Sequence, residues 1–168
     1  MNGRDWLCQQ TAGYSELEAD ELNAITEFTL LWSFFEAQVL DRNANARMII
    51  DTAQRWYMAG ILKDSFLDTR TYFCCRYYRE GMFTDHFNHL NLRQSDYPGL
   101  IKKLLQGECK EEWETAAAVL IIIYRFRNNL FHGEKWAYDL RGQRNNFEQA
   151  NKALIVAMEL QKRVLAAR

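Results

Sequence analysis

The side chains with the most chemical capacity in this sequence lie in one stretch, Tyr124-Arg125-Phe126-Arg127-Asn128-Asn129-Leu130-Phe131-His132-Gly133. It follows directly on the apolar run Val119 to Ile123. Asparagine is a poor helix-interior residue, and arginine is costly to bury without a partner. Two arginines, two asparagines and a histidine at the end of an apolar helix therefore form a local conflict, and such conflicts are expected where function resides. A guanidinium is always cationic and matches phosphate geometry. An imidazole ordinarily titrates at about pH 6.5 and can move a proton at neutral pH. Together they suit chemistry at a phosphodiester.

Helical spacing places Tyr124, Asn128 and His132 on one face, at i, i+4 and i+8. Arg125 belongs near that face. Arg127 is five residues before His132, which is about 140° away around an ideal helix. One straight helix does not bring these two groups to one atom. Either the helix ends or distorts before His132, with Gly133 as a natural cap, or a second copy of the chain completes the site.

Arg127, four intervening residues and His132, with Asn128 directly after the arginine, resemble the Arg-x4–6-His motif of the HEPN superfamily. The segment Phe28-Thr29-Leu30-Leu31-Trp32-Ser33-Phe34-Phe35-Glu36 is similar to the first long helix of HEPN domains encoded on plasmids and mobile elements, and Gln143 to Asn151 is similar to their last helix. The resemblance implies a metal-independent endoribonuclease, acting as a cytoplasmic homodimer with one composite cleft. It implies a toxin or phage-defence effector that leaves a 2′,3′-cyclic phosphate. In that reading Arg127 clamps the scissile phosphate, His132 moves the proton, and Asn128 orients the imidazole or the phosphate. Arg125, Tyr124, Glu36 and Lys135 are expected to support the site or bind substrate. Arg125-x6-His132 also satisfies the pattern; Arg127 is preferred because Asn128 follows it. Glu36 is read as a buried partner for one arginine, against a solvated carboxylate. The expected partners are RNA, a second copy of the chain and an antitoxin or regulatory protein. Where related toxins often carry a modifiable tyrosine two residues after the histidine, this chain has Glu134, with Tyr138 the nearest tyrosine. The alternative is a HEPN-like domain that binds RNA, nucleotides or protein without catalysis.

The elements that must position these residues are helical. The chain has 168 residues, one proline and eight glycines. Sustained apolar–polar alternation is missing, and so is an Asn-Gly hairpin turn between apolar runs. Helices are expected from about Ser15 (a Ser15–Glu18 capping box) to Val39, from Asn45 to Leu62 and from Asp64 to Glu80. Others are expected from Pro98 to Leu105, from Lys110 to Phe131 and from Gln143 to Ala166. Residues 82–97 are less regular, and residues 1–14 are expected to be loosely ordered. This predicts one all-α domain over 1–168, a bundle of five or six helices.

Composition narrows the function classes. Hydrophobic residues are 48% and charged residues 26%, an ordinary globular balance. The longest apolar run, Ala116 to Tyr124, falls short of the ~20 residues that span a bilayer. The N-terminus has no apolar signal core, and the four cysteines have no C-x-x-C pairing, so free thiols in a reducing cytosol are expected. Net charge is −1, but residues 1–41 carry eight acidic side chains against Arg4 alone (−7), and the remainder carries 20 Lys/Arg against 14 Asp/Glu (+6). The acidic part either repels polyanions or docks something basic; both parts also suit solvated faces. The aromatic cluster Tyr72, Phe73, Tyr77 and Tyr78 suits packing better than base stacking. His86 and His89, spaced i, i+3 beside Asp85, lack a matching Cys/His pair, and neither a metal nor a cofactor is expected. No Gly-rich phosphate loop or G-x-S-x-G elbow is present.

Overall fold

The first residues to be buried on all sides are those of one helix, Glu112–Phe131, whose stretch Ala116 to Ile123 is fully inaccessible to solvent. A helix apolar all round must lie at the centre of its domain, and the others surround this one. The computed structural model describes residues 1–132 and 140–167. In chain order the helices are α1 (Gly3–Gln10), α2 (Ala12–Ser15), α3 (Ala19–Val39), α4 (Ala46–Met58) and α5 (Leu67–Tyr77). A two-stranded antiparallel ribbon follows, β1 (Tyr78–Arg79) and β2 (Met82–Phe83), with Tyr78 opposite Phe83. Then come α6 (Asp85–Asn88), a 3₁₀ turn (Gln94–Asp96), α7 (Pro98–Gln106), α8 (Glu112–Phe131) and α9 (Arg144–Ala166). The all-helical expectation holds. Among the described residues no helix is long and apolar enough to cross a membrane.

α3 packs along α9, while α4 and α7 pack on α8. Aromatic side chains join the layers. Phe28 of α3 lies 5.0 Å from Phe147 of α9, and Phe126 of α8 meets Phe73 of α5 edge-on at 5.7 Å. Trp32 of α3 faces Tyr124 of α8 at 6.0 Å. One contiguous apolar cluster runs through all these contacts. Of the aromatic cluster on α5, Phe73 and Tyr77 are buried, so packing is their role.

The helix borders differ in instructive ways from the spacing-based ones. α3 does not start at Ser15, because Ser15 closes α2. Its capping box is Glu18 with Glu21, and Glu21 also accepts the Gly142 backbone N–H at 2.6 Å. The second and third helices are shorter than expected, ending at Met58 and Tyr77. Gly60 and Gly81 follow those ends at φ 68° and 80°, where a glycine pays no steric cost. Pro98 opens α7 and Gly107 caps it, as expected. The short ribbon has no counterpart in the sequence reading; two residues per strand give no alternation to detect. The N-terminal residues form α1, which buries no side chain.

The acidic beginning of the chain docks something basic, and that something is internal. Glu16 pairs with Arg141, and Asp20 pairs with Arg144 at 2.9 Å. These exposed bridges contribute little individually, yet with Glu21 they register α3 against the start of α9. Burial at Phe28 carries far more. Phe28→Ala, at a fully buried ring, is expected to destabilise the fold by about 3–5 kcal/mol in urea unfolding; a loss under about 1 kcal/mol would contradict this packing.

Candidate functional site

α8 carries every described member of the motif, and its four faces do different things at its last two turns. Arg125 and Asn129, four residues apart, point at the irregular segment 89–96. The Arg125 Nε donates to the Leu90 carbonyl at 3.1 Å, and Nη2 donates to Asn129 Oδ1 at 3.2 Å. Asn129 Nδ2 donates to the His89 and Leu90 carbonyls at 3.1 and 3.3 Å. Asp96 lies 3.4 Å from Arg125 Nη1, and its carboxylate also accepts the Arg93 N–H at 2.7 Å. Arg125 is 2% exposed and Asp96 3%. Nη1 faces that carboxylate without hydrogen-bond alignment. The pair is thus held by charge as much as by direction.

Arg125 is therefore consumed by the fold. Its carboxylate partner is Asp96; the Glu36 carboxylate instead accepts the Trp32 indole N–H at 2.8 Å, and among the described residues it forms no ion pair. Reaching Asp96 into the core has a local cost. Pro98 disfavours right-handed helical backbone at the residue before it, and Tyr97 stands at φ 51°, a region uncommon for a bulky residue.

Arg127 has a different environment. It is half-buried, its Nη1 donates to Asn128 Oδ1 at 3.0 Å, and its guanidinium lies over the Phe131 ring at 5.4 Å. Its Nε is buried with no hydrogen-bond partner. Such groups are rare and call for an explanation. Asn128 is buried and serves Arg127, the arginine next to it; among the described residues its Nδ2 donates to nothing. Tyr124 is half-buried against Trp32 and lines an open hollow of about 420 Å³ with Asp96 and Tyr97.

His132 is exposed and caps α8. Its backbone N–H still donates to the Asn128 carbonyl at 2.9 Å, so the helix does not distort before it. As for the first of the two ways to bring Arg127 and His132 together, the helix does end ahead of the histidine, at Phe131, but without a distortion before His132. His132 keeps helical register with Tyr124 and Asn128, and no hydrogen bond, ion pair or ring contact joins its imidazole to Arg127 among the described residues. Gly133, Glu134, Lys135 and Tyr138 lie outside the described residues.

Spacing could have found Asn129, since it stands four residues after Arg125. Asp96 had no such signal, because it meets Arg125 from 29 residues away in a segment without periodicity. Among the described residues no group of three or more His, Cys, Asp or Glu is placed to hold a metal ion. No protein-family model, no curated protein and no solved structure matches this chain.

The two arginines should separate cleanly in stability measurements. Asp96→Ala leaves a buried guanidinium without its counter-charge and is expected to cost about 3–5 kcal/mol. Asp96→Leu with Arg125→Met should recover much of that loss. Arg127→Gln is expected to stay within about 1 kcal/mol of the parent. Equal losses at Arg125 and Arg127 in chemical denaturation would refute this division of labour.

Proposed function

We propose that this chain is a HEPN-type, metal-independent endoribonuclease in which Arg127, Asn128 and His132 form the reacting group. One observation carries the reading. Of two arginines two residues apart, Arg125 is fully buried against Asp96 and the Leu90 carbonyl. By contrast, half-buried Arg127 has no carboxylate partner among the described residues, keeps a buried Nε without a hydrogen-bond partner and stands five residues before an exposed histidine. A preorganised cation and a titratable group at a helix end are what charge stabilisation and proton transfer at a phosphodiester require.

In the proposed reaction an imidazole of His132 removes the ribose 2′-hydroxyl proton. The 2′-oxygen attacks phosphorus, the bond to the 5′-oxygen breaks, and that oxygen takes a proton from an imidazolium. The products are a 2′,3′-cyclic phosphate and a 5′-hydroxyl. Arg127 balances the charge gained by the phosphoryl oxygens in the transition state, and Asn128 holds Arg127 in place. Its free Nδ2 is the donor left for the phosphate.

Helical register keeps Arg127 and His132 apart within one chain, so the proposed site joins Arg127 of one copy with His132 of another. Leu30 and Phe34 on α3 and Phe131 on α8 are 68%, 55% and 55% exposed, apolar surface of the kind a symmetric contact covers. The resemblance to families of mobile elements extends the reading to a toxin or defence effector restrained by a second protein.

Purified protein with single-stranded RNA in EDTA tests this directly. The parent should cleave, and His132→Ala and Arg127→Ala should each lose about 10²–10⁴-fold in rate. Mixing the two inactive variants should restore about a quarter of the parent activity, because half of the random dimers then hold one intact Arg–His combination. Full activity in either single variant would end the proposal. Absence of cleavage with retained RNA binding would favour a non-catalytic HEPN-like binding domain. A strict monomer by light scattering that still cleaves would remove the composite site.

A further inference from the structure

A second cationic cleft is lined by none of Arg127, Asn128 and His132, and none of the chemistry above uses it. It is built by the ribbon β1–β2, which folds α6 back onto the end of α5. The Thr84 N–H donates to the Tyr77 carbonyl at 3.0 Å, and its hydroxyl donates to the Arg76 carbonyl at 2.8 Å. The start of α9 closes the third side, where the Tyr72 hydroxyl donates to Asn146 Oδ1 at 2.8 Å. The result is an open cleft of about 560 Å³ lined by Tyr72, Arg76, Arg79, Asp85, His86 and Asn145, within the roughly 300–1,000 Å³ typical of ligand pockets. An inner recess adds His89, whose ring stands 6.3 Å from that of His86.

The charge balance of the cleft is one-sided. Among the described residues neither Arg76 nor Arg79 has a carboxylate within ion-pair distance. Arg79 Nε donates only to the Cys75 carbonyl, at 2.6 Å, and Arg76 Nε is buried with no partner at all. Among the described residues Asp85 is the only carboxylate in the lining, and the nearby Glu148 is paired with Arg144 at 2.7 Å. Partial burial, and then the charges of Arg76, His89 and Arg79, hold the His86 imidazole below its ordinary range against Asp85 alone. A half-buried arginine held over the Tyr77 ring at 5.9 Å with an idle Nε, beside a second arginine without a carboxylate partner among the described residues, offers converging donors to an anion.

We infer that this cleft binds a phosphate group, with Arg76 and Arg79 as the ligating side chains and Asn145 and His86 as flanking donors. The phosphate belongs either to a polynucleotide backbone or to a small phosphorylated molecule. Both present the same oxygens, which a guanidinium fork recognises. The inference does not depend on the ribonuclease reading.

The test uses the full chain carrying His132→Ala, so that an RNA probe stays whole. Binding of a fluorescent ten-residue oligouridylate is followed by anisotropy, alone and against inorganic phosphate. Arg76→Gln and Arg79→Gln should each weaken binding by roughly tenfold. Lys162→Gln, an equal charge change on the far part of α9, should change it by less than about twofold. Competition by millimolar phosphate identifies a small phosphorylated ligand, whereas loss in the variants without such competition identifies the backbone. Arg79 is exposed, so its substitution leaves the fold intact. Cys75 supplies a second readout, because it is exposed in the wall of the cleft while Cys8 is exposed on α1. Bound probe should slow alkylation of Cys75 several-fold and leave Cys8 unchanged. Unchanged affinity in both arginine variants, an equal loss in Lys162→Gln, or equal alkylation of the two thiols overturns the inference.

Discussion

The buried guanidinium of Arg125 is the constraint on which the arrangement around the end of α8 depends. Through Asp96, the Leu90 carbonyl and Asn129, it ties an otherwise irregular segment to the last turns of the central helix. Removing two charges from water is expensive, and mutual attraction offsets that only when the remaining donors are satisfied. Here Nε and Nη2 are bonded while Nη1 faces the Asp96 carboxylate, and Asn129 shares the Leu90 carbonyl with Arg125 and takes the His89 carbonyl as well. The segment 89–96 has little periodic apolar content of its own, so this polar network substitutes for the packing that a regular element would provide. It also fixes the rotation of α8, and that rotation decides which way Asn128 and His132 face.

The division between Arg125 and Arg127 shows how a two-residue offset on a helix separates a core arginine from one at the margin. A step of two residues turns the direction by about 200°, so one arginine enters the core while the other stays at its margin. Arg127 is pinned there by Asn128 and by the Phe131 ring, both within one turn. A cation whose position is set before a ligand arrives has less reorganisation to undergo in a transition state. The proposed nuclease role rests on that preorganisation and on the histidine that follows it.

Much of the architecture was legible in residue order. The apolar run before Tyr124 marks the central helix, Pro98 and Gly107 bracket α7, and the spacing of Phe28, Trp32, Phe35 and Val39 marks the inner face of α3. Sequence reasoning failed where the deciding partner is remote in sequence. Ser15 and Glu18 satisfy a local capping pattern, yet Glu21 wins the start of α3 because it also caps the backbone ahead of α9. Glu36 was the nearest reasonable counter-ion for a buried arginine, but Trp32 on its own helix takes that carboxylate. The His86 and His89 pair suggests only a metal in sequence, since Arg76 of α5 and Arg79 of β1 meet it through a ribbon too short to leave a pattern. Local rules describe caps and faces well; they do not say which side chain arrives from elsewhere.

The pairing of α3 with α9 has a consequence for the order in which the molecule can be made. Glu16, Asp20 and Phe28 find their partners at Arg141, Arg144 and Phe147, so the first long helix must wait for nearly the last one. At a synthesis rate of about 5–20 residues per second, α3 spends on the order of ten seconds with its apolar side uncovered on the growing chain. The central helix, made shortly before α9, is open on one flank for only a few of those seconds. The contact between α3 and α9 therefore forms only once α9 has been made, and a cell-made factor that grips α3 before then would delay it.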